Sequence, residues 1–170
     1  ATQAYEFICD LIGMENVNFY VTDEVVAVEA LAISNEFKYE RMHTISSLLK
    51  KEKKIIVTYV SSFLRPMIPL DIYQNNVIHI KKGDTLNIKG LIEKLVIMGY
   101  KRTPSTLQTG DFSVRGEIID IFPINNNKPF RIGLFDDEVE YIKTFDETNQ
   151  MSISKIDAIE LFPINELIYE

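Results

Sequence analysis

The residues whose types and spacing could do chemistry cluster late in the chain, in Tyr100-Lys101-Arg102 and in Gly110-Asp111-Phe112-Ser113-Val114-Arg115-Gly116-Glu117. On a pleated strand Ser113, Arg115 and Glu117 share one face, and Phe112 and Val114 share the other. Ile118-Ile119 then breaks the alternation, and Gly116 permits a bulge that re-aims Arg115. Two readings stand side by side. Arg115 neutralises Glu117 or the acidic strands around it, or Arg102 and Arg115 form an exposed guanidinium pair that grips an acidic partner beside the Phe112 edge. Two partly desolvated, charged hydrogen bonds of about 1.5–3 kcal/mol each would make such arginines hot spots.

Catalytic chemistry finds fewer of its parts. The chain has no G-x-x-x-x-G-K-[ST], and Gly83 and Gly90 lack the lysine and hydroxyl that a phosphate cradle needs. Ile132-Gly133-Leu134-Phe135-Asp136-Asp137-Glu138 mimics an apolar strand ending in magnesium-holding acids, yet reads more simply as a charged hairpin. Carboxylates three to five residues apart on an acidic surface are ordinarily solvated rather than a hydrolytic dyad, and no G-x-S-x-G elbow is present. His43 lies on a helix and His79 in a strand, and both read as structural. One cysteine, Cys9, sits among Phe7, Ile8 and Leu11 as a small hydrophobe. It cannot form an internal disulfide, and with two histidines it cannot complete a usual zinc site. The expectation is therefore no catalytic residue, no metal and no cofactor.

The elements that must position the arginines follow from composition and periodicity. With 46% hydrophobic and 25% charged residues, 7 Gly and 6 Pro, the chain is globular. No window approaches the ~18 apolar residues of a membrane helix, and no leader is apparent, so a soluble, cytoplasmic protein is expected. Residues 110–170 hold 13 acidic and 5 basic groups, a net of −8, which against a total of −7 leaves residues 1–109 at +1. That field disfavours broad nucleic-acid binding. A DNA-backbone-binding module, the alternative reading, would depend on Lys50, Lys51, Lys53, Lys54, Lys81 and Lys82.

Residues 1–66 predict helix–strand–helix–helix–strand, the order of a parallel α/β sheet. The first helix carries Ala4, Phe7, Ile8, Leu11 and Ile12 and stops at Gly13; Val17–Val21 is a strand. Thr22 or Asp23 caps a helix through Val25, Val28 and Leu31, and Ser34 caps another with Phe37, Met42, Ile45, Leu48 and Leu49 as its stripe. Lys53–Val60 has the continuous apolar run of a doubly covered strand. With two strands the unit reads as an incomplete α/β domain that has lost an entry strand. Arg65-Pro66-Met67-Ile68-Pro69 marks the boundary. Residues 67–170 form an α+β module: a strand at 76–81, a helix capped by Asn87 and ended by Gly99, then an antiparallel meander. Its strands are 112–122, 130–135 with Phe130, Ile132 and Leu134 inward, 139–145 and 156–162.

The block from Gly99-Tyr100-Lys101-Arg102 through Gly110–Pro123, Pro129-Phe130-Arg131-Ile132 and Phe135-Asp136-Asp137-Glu138-Val139 resembles the UvrB-like region of bacterial repair proteins. Thr144 to Ser152 is similar to the segment that follows in the transcription-repair coupling factor family (Mfd), with Met151 as a departure. About 15 residues separate Val21 from Phe37, too few for the DNA-clamping hairpin of UvrB itself, which favours the coupling-factor branch. The resemblance implies that residues 1–66 belong to a helicase-like first domain without an ATP site. Residues 67–170 would be the inserted domain that recruits UvrA in nucleotide excision repair. It implies partner-binding roles at Arg102, Ser113 and Arg115, where UvrB uses arginines; Ser113 replaces one of them. ATP, magnesium, RNA polymerase and double-stranded DNA would belong to other domains of the parent protein.

Overall fold

The computed structural model describes residues 1–21, 35–64 and 67–165. The helix capped by Thr22 or Asp23, the Ser34 cap and the Arg65-Pro66 boundary lie outside the described residues. Contacts divide the chain into two units, Ala1–Leu70 and Asp71–Glu170.

In the first unit, helix α1 (Thr2–Ile12) leads through a 3-10 turn into strand β1 (Val17–Tyr20). Helix α2 (Asn35–Leu49) precedes strand β2 (Ile55–Thr58), and α3 (Val60–Phe63) is a single turn. β1 and β2 pair in parallel, from Val17 opposite Ile55 to Tyr20 opposite Thr58. The expected parallel grammar is therefore present. Two expectations are corrected. Ile55 and Ile56 are exposed rather than covered on both faces, and among the described residues β2 pairs with β1 alone. The buried face of α2 is also not the plain apolar stripe: Met42 and Ile45 are buried, but so are Arg41, Thr44, Ser46 and Ser47, while Leu48 is exposed. Burying hydroxyls there is cheap because each bonds a carbonyl of the preceding turn: Thr44 donates to Glu40 O (2.9 Å), and Ser46 and Ser47 to His43 O (2.8 and 3.0 Å).

Helix α4 (Leu70–Asn75), which enters the second unit at Asp71, is followed by strand β3 (Ile78–Lys81). Helix α5 (Ile88–Ile97) starts where Asn87 Oδ1 accepts the Gly90 N–H at 3.0 Å. It ends at Gly99, whose φ of 95° lies in the left-handed region that glycine tolerates. Strands β4 (Lys101–Arg102), β5 (Asp111–Arg115), β6 (Ile118–Ile121), β7 (Phe130–Phe135), β8 (Glu138–Phe145) and β9 (Ser152–Ile156) form one sheet in sequence order. Only β4–β5 is parallel; the other neighbours are antiparallel. β10 (Ala158–Leu161) leaves this sheet and pairs with β3 instead. The return segment is fastened to the core by two buried phenols, Tyr73 donating to Pro163 O and Tyr100 to Phe162 O, each at 3.0 Å.

The single strand expected at 112–122 is two strands. Arg115 pairs with Ile118, so Gly116 and Glu117 make a two-residue hairpin turn, with Gly116 at φ 61°. Glycine at the first central position suits a type II′ turn, whose twist matches the flanking strands. The glycine read as a bulge thus reverses the chain. One face of the sheet is core: Phe112, Ile119, Ile121, Ile132 and Ile142 are each at most 1% exposed.

Candidate protein-docking site

The register sets the residues of the opposite face in two rows. One row runs Ser113–Asp120–Arg131–Lys143–Lys155 across β5 to β9. Beside it runs Arg115–Ile118–Gly133–Tyr141. This face carries cations although residues 110–170 are strongly acidic as a whole.

Asp120 is the centre of the arrangement, with its side chain 1% exposed. Arg131 binds it through two nitrogens, Nε to Oδ1 at 2.7 Å and Nη2 to Oδ2 at 2.8 Å. The same guanidinium lies 4.3 Å from the Phe145 ring centroid and donates to Gln150 O and Oε1 at 3.2 and 3.0 Å. It makes four hydrogen bonds in all. The hydrogen bond with Asp120 is the main reason that the Arg131 pKa is raised above its ordinary value. Arg115 reaches the same carboxylate diagonally with Nη2 alone, 2.6 Å from Oδ2, and its side chain stays 51% exposed. One carboxylate therefore orients two guanidinium groups, one spent and one with donors left over.

The residues expected to bind a partner divide three ways. Arg115 stands on the open face, where its counter-charge is Asp120 rather than Glu117. Ser113 is on the same face but buried: Thr106 of the preceding loop covers it, donating to Ser113 Oγ and to Asp120 O, both at 3.3 Å. Phe112 is 0% exposed, so the reading of it as part of a partner-facing edge is corrected; alternation places it in the core. Arg102 is exposed on the edge strand β4 and pairs in register with Phe112, not with Ser113. Register partners share a pleat face, so Arg102 and Arg115 lie on opposite faces and are not a side-by-side pair.

Arg131 and Asp120 escaped sequence reasoning because their contact is set by the β6–β7 register, 11 residues apart. Elsewhere the charged groups pair locally: Lys128 lies 3.0 Å from Glu147 and 3.5 Å from Asp146. His79 Nδ1 lies 3.4 Å from its cross-strand neighbour Glu160. Lys54 pairs with Glu52 at 3.6 Å and donates to Glu15 O. Among the described residues no group of three or more His, Cys, Asp or Glu could hold a metal ion, and no helix is long and apolar enough to cross a membrane.

A family model described as the UvrB interaction domain matches residues 78–167, just over half of the chain. The chain is also similar to proteins named transcription-repair-coupling factor. It is 32% identical over 168 residues to that of Bacillus subtilis (strain 168), which covers 99% of this chain. With Haemophilus influenzae the identity is 30% over 155 residues, 91% of the chain, and with Staphylococcus aureus (strain MRSA252) 29% over 161 residues, 95% of the chain. In each case the chain spans 14% of the relative's length. The matched span contains the meander, the Asp120 network and both arginine rows, and the chain belongs to the UvrB interaction domain family.

Proposed function

We propose that this chain is a non-catalytic interaction module that recruits UvrA in transcription-coupled nucleotide excision repair, as part of a coupling factor. Arg115 is the principal contact. The observation that carries this reading is the unequal sharing of Asp120: Arg131 takes both oxygens, leaving Arg115 aligned by one hydrogen bond with its side chain half exposed. A preoriented guanidinium loses less side-chain entropy when it binds a partner carboxylate. Arg102 contributes from the β4 edge, on the other side of the pleat. No step of bond making or breaking is assigned to the module; ATP hydrolysis, RNA polymerase contact and DNA translocation belong to other parts of the parent protein.

The test is a pull-down of purified UvrA by the chain carrying R115E, R102E or both. R115E removes most of the captured UvrA and R102E a smaller share. Undiminished capture by a folded R102E/R115E double variant contradicts the reading.

A further inference from the structure

Beyond Arg115, the open face has a second built feature, in the adjoining strands. A Cβ on Gly133 would collide with Tyr141 Cε1 and Cζ, so it is the glycine that lets the Tyr141 ring approach β7 so closely. The Lys143 ammonium sits 4.3 Å from the centroid of that ring. Ile118, half-buried, and Phe135, 71% exposed, extend the apolar strip at the hairpin end. An apolar row thus starts at Arg115, ends at Tyr141, and is flanked by Lys143 and Lys155. From there a groove of about 1010 Å³ opens, lined by Tyr141, Lys143, Lys155, Lys81 and Lys82 together with Glu138, Glu140 and Asp157.

We propose that Tyr141, Lys143 and Lys155 form a second docking element on this face, and that the whole face takes an extended partner segment with two carboxylates about four to five residues apart and an apolar side chain between them. The proposal rests on the reading of Arg115 given above. The spacing follows from geometry. Arg115 on β5 and Lys143 on β8 are three strand intervals apart and offset by two residues along the strand, about 16 Å at the usual ~4.8 Å per strand and ~3.3 Å per residue, which an extended segment covers in about four to five residues. One acidic residue cannot reach both ends; a helical turn, rising 5.4 Å, is also too short. One carboxylate meets Arg115, the apolar residue rests on Ile118 and the exposed edge of the Tyr141 ring, and the second carboxylate meets Lys143 and Lys155. Glu138, Glu140 and Asp157 oppose a longer acidic run deeper in the groove. They also oppose a phosphate backbone.

The experiment titrates purified UvrA into the wild-type chain, R115E, Y141A, K143E/K155E and the milder K143Q/K155Q, with a short DNA duplex as a second probe for each. Affinity for UvrA falls about tenfold or more in R115E, in Y141A and in K143E/K155E, as expected of interface anchors, and less in K143Q/K155Q. Loss in R115E with unchanged affinity in Y141A and in both lysine variants overturns the second element and leaves the Arg115 reading standing. Unchanged affinity in R115E as well overturns both. A duplex bound by wild type and released by K143E/K155E, with UvrA affinity kept, overturns the polypeptide assignment in favour of nucleic acid. K143Q/K155Q carries the same test should the charge-reversed pair fail to fold.

Discussion

Arg115 donates to Asp120 at 2.6 Å from a half-exposed position, while Arg131 closes the other side of the same carboxylate with two hydrogen bonds. The two arginines look alike in sequence and differ in what their loss does. Asp120 is buried and Arg131 is 16% exposed, so each needs the other's charge. Breaking a buried pair from one side costs about 3–5 kcal/mol because it strands the partner. D120A should therefore unfold the second unit at markedly lower urea, with a loss in that range. R115A, which leaves the Arg131–Asp120 pair in place, should cost no more than about 1 kcal/mol. Denaturant titrations of the two variants check this, and equal losses contradict the assigned roles.

Gly133 and Tyr141 predict a double-mutant effect. G133A pushes a methyl group into the Tyr141 ring, and overpacking of this kind costs about 1–3 kcal/mol. Y141A removes the obstacle, so the double variant G133A/Y141A should be more stable than the sum of the single losses. Strict additivity in thermal or urea unfolding contradicts the close approach.

The two phenols that hold the return segment should respond alike. Y73F and Y100F each leave a buried carbonyl, Pro163 O or Phe162 O, without its phenolic donor, at about 1–3 kcal/mol. Faster proteolysis near 158–165 than in wild type is the accompanying sign.

His43 gives the first unit a pH dependence. Burial lowers its pKa from the ordinary 6.5, with Lys54 and Lys50 acting in the same direction and Glu52 opposing. The unfolded chain therefore takes up this proton before the folded chain does. Stability from this group is intact above about pH 6.5 and declines as the pH falls below it, until the folded form also protonates. H43Q should flatten this acid limb of an unfolding-midpoint series run from about pH 8 to 5.

Much of the second unit was legible because its side chains alternate plainly. Phe130, Ile132 and Leu134 point inward as their spacing predicts, and Asn87 and Gly99 bound a helix for reasons visible in their chemistry. Residues 112–122 read as one strand because Ile118, an apolar residue on the open face, hides the turn at Gly116-Glu117. β4 has two residues and is held by β5, so no local pattern announces it. The site was legible in part. Arg115 stands out by type, but alternation alone does not say which face is core, so nothing in the sequence separates it from Phe112 and Arg102. The partnership of Asp120 and Arg131 exists only once β6 and β7 pair, and no spacing within either strand encodes it.

The most direct test of Arg115 as the docking contact is the affinity of UvrA for the wild-type chain against R115E, measured by calorimetry on variants shown to share one unfolding midpoint. A fall of about tenfold or more with the fold intact is the predicted result; equal dissociation constants for the two chains contradict it.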